Sequence, residues 1–259
     1  MRRLVVDLPF SRAALWSGRM TMFALATVLL GVALGRTERI ETPAALVVLG
    51  AGLVVAIAAV LLAVAAFFMI WGDGRPGFGK ALGAFLVAGA LVAFPAWLGL
   101  EAVRLPRLHD VSTDMADPPA FSRSRRALEM RGGRLLTEPP AASRETIRTA
   151  YPGVAPLTLE ITAQEAFQLA MKAAQQRGWT IIESAAPGGR TGVGRIEAID
   201  HSLIMRFPLD VTVRIRPLAN GARIDVRSAS RVGAHDLGAN ATRIQTFMAA
   251  LQELADNRD

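Results

Sequence analysis

The chain has 259 residues, a net charge of +7, 52% hydrophobic residues and no cysteine. That length holds one membrane region plus one modest domain, and the missing thiols exclude disulfides, a thiolate nucleophile and Cys-ligated metals. The positive charge is spread over the chain, +3 on residues 1–103 and +4 on residues 104–259. It includes no Lys/Arg block interleaved with aromatics, so nucleic acid is not an expected partner.

Three long apolar runs come first. Residues 20–35 are too short for a bilayer of ~30 Å, but residues 13–35 suffice if Arg19 snorkels towards the headgroups. Ala33 and Gly35 form a weak small-residue cleavage site, so a signal peptide is the alternative for this run. Residues 44–71 span with some tilt, and residues 81–103 span with Pro95 as an expected kink. Trp16, Trp71 and Trp97 lie near span ends, as interfacial anchors do. The spans hold no ionisable residue in their interior, which argues for an anchor and against an ion or proton pathway.

Arg2, Arg3, Arg12 and Arg19 precede the first span, and Arg75 and Lys80 fall in the second loop. The excess of positive charge on these flanks places both inside. Three spans then carry residues 104–259 outside, to the periplasmic face of a bacterial inner membrane. Arg104 and Arg107 sit against this assignment.

Behind the spans, residues 105–156 read as an irregular wrapping segment with one helical candidate, 144–150. The stretch "SRSRRALEMRGGR" (122–134) reads as mobile, and "YPGVAPL" (151–157) as docked. Residues 157–259 then give strand, helix, four strands and helix. Thr162 and Glu165 have the spacing of a capping box, each side chain satisfying a free backbone donor at a helix start. In residues 206–216, Phe207, Leu209, Val211, Val213 and Ile215 alternate with polar residues. "ANG" turns the chain, and residues 223–232 repeat the alternation. Asp236 is the expected cap of a final helix over 237–255. The expected class is α+β: three transmembrane helices (about 13–35, 44–71 and 81–103, within 1–104), then one soluble unit over 105–259. An antiparallel sheet there carries two helices on one face.

Three groups of residues are candidates for function. His109, Asp110, Asp114 and Asp117, with His235 and Asp236, have the chemistry for a divalent metal or for general acid–base work. No metal-ligand spacing such as H-x-x-x-H accompanies them, and Asp236 has a role as a cap. No metal or cofactor is expected. Second, Arg206, Arg214, Arg216, Arg223, Arg227 and Arg231 alternate onto one sheet face against Asp210 and Asp225. They read as an anion surface for an anionic lipid or an envelope protein, or as a solvated face laced with cross-strand pairs. Third, "HDVSTD" and "HDLGAN" carry short polar residues at chain reversals. Asp110, Ser112, Thr113, Asp114, Asp236 and Asn240 are expected to form a structural seam where these segments meet.

The segments "HDVSTDMADPPAF" (109–121), "YPGVAPL" (151–157) and "RSASRVGAHDLGANATRI" (227–244), in this order and spacing, resemble domain of unknown function 1499. The likeness covers about residues 105–256. It implies an N-terminal membrane region and no established activity. The family pattern more usually has a small polar residue at His235. The expected role is therefore a non-enzymatic interaction or ligand-binding module held at the bilayer. The alternative is a membrane-tethered hydrolase or metal-dependent enzyme built on the His/Asp cluster.

Overall fold

The computed structural model describes residues 8–140, 143–189 and 191–257. Arg2, Arg3 and Arg190 lie outside the described residues. The chain divides into two compact units, Met1–Glu101 and Ala102–Asp259.

The first unit is built on α1 (Arg12–Arg36), α2 (Thr42–Asp73) and α3 (Phe78–Arg104). All three are long and apolar enough to cross a membrane. Ser11 caps α1 by accepting from Ala14 N, and Gly74 closes α2 in the left-handed conformation. The helices meet through small residues: Ala45, Gly52, Ala56, Ala59, Ala63 and Ala66 are buried on α2, and Ala81, Ala84 and Ala88 on α3. A Cβ at Gly31 would sit 3.0 Å from Val48 Cγ1, and one at Gly52 would sit 2.8 Å from Val28 Cγ2. These glycines let α1 and α2 approach closely. Large apolar side chains such as Phe23, Leu29, Val47, Leu61 and Phe68 face outward, as a lipid-facing surface requires. Pro95 lies inside α3, which continues through it.

In the second unit the order is β1 (Asp110–Ser112), α4 (Arg125–Met130), α5 (Ser143–Ala150), β2 (Leu157–Leu159), α6 (Ala163–Gln176), β3 (Thr180–Ala185), β4 (Gly194–His201), β5 (Pro208–Leu218), β6 (Gly221–Ser230) and α7 (Ala239–Asp256). All pairings are antiparallel, in the order β1-β6-β5-β4-β3, with β2 also on β6. The fold is α+β. Strands β1 and β2 share one edge of β6: β1 pairs with 227–229 and β2 with 222–224. Between them the chain leaves the edge, crosses one sheet face and returns.

Helices α6 and α7 cover the other face. The capping box at Thr162 and Glu165 is fully formed. Val211, Val213 and Ile215 of β5 and Ile224 and Val226 of β6 pack with Phe167, Ile244, Phe247 and Leu251. Trp179 stacks on Phe247 at 4.7 Å between ring centroids. Removing this apolar surface from water is the main driving force for the layer.

Two readings of residues 105–156 are corrected. The segment is not irregular apart from one helix, because 110–112 forms a strand and 125–130 a helix. The stretch expected to be mobile carries Arg131, whose side chain is 1% exposed. The final helix starts two residues later than expected, at Ala239, with Gly238 at the cap position in the left-handed conformation.

Candidate functional site

Alternation along β5 and β6 puts Asp210, Thr212, Arg214, Arg216, Arg223, Asp225 and Arg227 on the face opposite the helices. That face was expected to be wet. It is instead roofed by the crossing segment, and Asp225 and Arg227 are 0% and 1% exposed. The cause is charge. The two strands offer arginines in excess over aspartates, and the crossing segment returns the missing carboxylates.

Three ionic clusters result, and one aromatic ring carries two arginines. Asp225 accepts from Arg216 Nη2 at 2.8 Å, Arg223 Nε at 3.0 Å and Arg214 Nη2 at 3.1 Å. Above it, Asp114 Oδ2 accepts from the same three arginines: Arg216 at 2.9 Å, Arg223 at 3.0 Å and Arg214 at 3.3 Å. Its Oδ1 accepts from Ala116 N and Asp117 N at 3.1 and 3.0 Å, so the carboxylate also fixes its own turn. Asp117 closes the rim on Arg214 Nη1 at 2.9 Å. Burial raises the Asp114 pKa, but the Asp117 N–H, Arg216 and Arg223 outweigh it and hold the carboxyl below its ordinary range.

The next cluster joins Asp110 and Arg227. The guanidinium donates to Oδ1 at 2.9 Å and Oδ2 at 2.6 Å, and also to the carbonyls of Pro119 and Thr137. Farther along the face, Arg131 meets Glu197, which also accepts from Ser122 N, and Arg231 meets Asp210 at 2.7 Å. Burial pushes the Glu197 carboxyl up, against the Ser122 N–H and the Arg131 charge. Its two oxygens accept from Ser122 N and Arg131 Nη2. The Phe121 ring ties the halves together, with Arg227 4.9 Å and Arg131 5.1 Å from its centroid. Among the described residues, arginines 131, 214, 216, 223, 227 and 231 are balanced by carboxylates 110, 114, 117, 197, 210 and 225.

Arg206 is not part of it. It lies in the β4–β5 loop, exposed, with φ +54°.

The two segments of the expected seam meet through the backbone of Leu108 and His109. His109 O accepts from Ser230 N at 2.8 Å and Asn240 Nδ2 at 3.1 Å, and Leu108 O accepts from Asp236 N at 2.8 Å. Ser228 donates to Asn240 Oδ1 at 2.7 Å. Thr113 Oγ1 accepts from Val226 N at 2.9 Å, and Ser112 donates to Asp114 O at 3.0 Å. Asp236 accepts from Gly238 N and Asn240 N, fixing the first turn of α7.

The His/Asp candidates do not converge on a shared centre. His109 is exposed, while Asp110 is held by Arg227 and Asp114 by three arginines. His235 Nδ1 accepts from Leu237 N at 3.0 Å, which fixes the Nε2–H tautomer. That N–H faces Ala102 O at 3.0 Å and Leu105 O at 3.2 Å. Among the described residues, no three His, Asp or Glu side chains are placed to hold a metal ion.

Sequence reasoning missed Phe121, Arg131 and Glu197. One signal was available: six arginines against two aspartates on one face call for carboxylates from elsewhere. A groove of about 810 Å3 opens beside edge strand β3, lined by Ser122, Arg126, Ile181, Glu183, Arg195 and Glu197 among others. Nothing in the local pattern marked it.

A family described as protein of unknown function, DUF1499, matches residues 110–251. No curated protein matches the chain.

Proposed function

We propose that this chain, which belongs to the DUF1499 family, is a non-catalytic interaction or ligand-binding module anchored in a bacterial inner membrane with its second unit on the periplasmic side. One observation carries the reading. The carboxylates that a hydrolase or metal enzyme would need, Asp110, Asp114 and Asp236, are already held by guanidinium or backbone N–H groups. A general acid needs a pKa near the working pH, and Asp114 is held in the opposite direction. The arginines expected as an anion surface are engaged in the same pairs, so their role is to fasten the crossing segment.

The groove beside β3 is where such a module would take its partner or ligand. Arg126, Arg195, Glu183 and Ile181 line it, a mixed lining suited to a segment with polar and apolar groups. The periplasmic orientation is supported by the arginines before the first span and by Arg75 and Lys80 in the second loop.

Mass spectrometry of what copurifies with the detergent-extracted chain tests the function. The wild type should retain a stoichiometric species that Arg195→Glu loses at unchanged melting temperature. A species retained equally by both, or none in either, contradicts the reading. A reporter fused to the C-terminus tests the compartment, and activity only from the cytosol would reverse it.

A further inference from the structure

The loop between β4 and β5 has a feature the proposed function does not use. Leu203 is 90% exposed and Ile204 47%, adjacent to each other and followed by Met205 and the exposed Arg206. The loop is firmly closed. Ser202 N donates to Phe207 O at 2.9 Å, Arg206 N to Ser202 O at 3.0 Å, and Phe207 N to Ser202 Oγ at 2.9 Å. Arg206 is held at φ +54°, which non-glycine residues seldom adopt. Apolar side chains are thus presented to the surroundings on a hydrogen-bonded tip, where water penalises them.

The register says which end of the sheet this is. His201 pairs with Pro208 and Leu209 with Ser230, and Ser230 N donates to His109 O. The tip and the point where the chain enters the sheet therefore lie at one end. At ~4.8 Å per strand, the lateral separation from β1 to the β4–β5 connection is about 12 Å. Asp110 follows Arg104, the last residue of an apolar helix that can cross a membrane, by six residues. A bilayer holding that helix is within reach of this sheet end. The end is also basic, with exposed Arg107 and Arg206, whereas Asp200 and Asp236 are engaged by Arg243 and by the start of α7.

We propose that the 202–207 loop is a peripheral membrane contact. Leu203 and Ile204 enter the acyl region of an anionic bilayer, and Arg206 meets its phosphates. Exposed aliphatics beside arginines are what interfacial binding requires. This rests on the membrane-anchored reading and adds a second attachment, which fixes the orientation of the domain over the surface.

The chain has no cysteine, so one probe can be placed cleanly. Full-length protein carrying an environment-sensitive fluorophore at Leu203→Cys is reconstituted into vesicles of phosphatidylcholine and phosphatidylglycerol. Asn220→Cys, on the turn at the opposite sheet end, is the control. The expected result is blue-shifted emission at 203, lost to a lipid-borne nitroxide and spared by aqueous cobalt, with the reverse at 220. A Met205→Cys probe should return to aqueous emission when Leu203→Glu and Ile204→Glu are added. Cobalt quenching at 203 equal to that at 220 overturns the proposal, as does shielding without nitroxide quenching, which would mean a protein neighbour. Alkaline extraction of the same vesicles separates the failures. A chain retained in the bilayer with a wet 203 sinks this proposal alone, and a chain that washes out sinks the anchored reading as well.

Discussion

Arg227 and Asp110 meet in a two-pronged ion pair, at 2.9 and 2.6 Å, with the arginine side chain 1% exposed and the aspartate 9%. The pair locks β1 onto β6 on the side away from the helices. Removing one partner leaves a buried charge uncompensated, so Asp110→Ala should cost about 3–5 kcal/mol. Denaturant unfolding of the detergent-extracted chain measures it. Asp110→Leu combined with Arg227→Met should recover most of the loss, because the apolar pair needs no compensation.

Arg131 and Arg227 both lie over the Phe121 ring. Phe121→Leu keeps the apolar volume and removes the ring face. It should cost roughly 1–2 kcal/mol, the scale of a desolvated cation–π contact. Phe121→Ala should cost about 3–5 kcal/mol through the added cavity. A Phe121→Leu loss near zero beside a large Phe121→Ala loss would show that packing alone matters at this site.

Asp114 gives the layer a pH dependence. Its carboxyl is held below the ordinary carboxylate range by the Asp117 N–H, Arg216 and Arg223, so the folded state favours the ionised form. That contribution is fully present above the unfolded pKa and is lost as pH falls through the lower folded value. Asp114→Asn should therefore be less stable than wild type at neutral pH, with the difference closing below about pH 4. Thermal unfolding of both proteins across that range checks it. A difference that persists unchanged into acid contradicts the assignment.

Gly221 begins β6 at φ +151°, where an added Cβ would lie 2.3 Å from Leu159 O. Gly221→Ala should push β2 from the sheet edge and cost about 1–3 kcal/mol. Faster exchange of the amides in 157–159 would report the displacement.

Local patterns revealed most of the scaffold. The three apolar helices, the Thr162–Glu165 box and the paired alternation of β5 and β6 all depend on neighbours in sequence. The β5–β6 hairpin was legible down to which side chains share a face. What covers the polar face was not, because a face roofed by complementary charge has the same alternation as one open to water. Asp114 and Arg216 are 102 positions apart, and period-2 alternation cannot report a contact at that separation. β1 escaped notice because three residues beside proline-rich turns show no period. Asp236 was expected at the N-cap of the last helix, but Gly238, left-handed at φ +76°, holds that position, and Asp236 accepts from the helix start from two residues upstream.

We propose that the arginine face is a closed layer fastening residues 113–137, and not a receptor waiting for an anion. Hydrogen–deuterium exchange of the full chain, in neutral and then anionic nanodiscs, tests it most directly. The amides of Val111, Thr113 and Val226 should be protected as strongly as the centre of β5, and equally in both lipids. Fast exchange in neutral lipid that slows only when anionic lipid or phosphate is supplied would contradict the account.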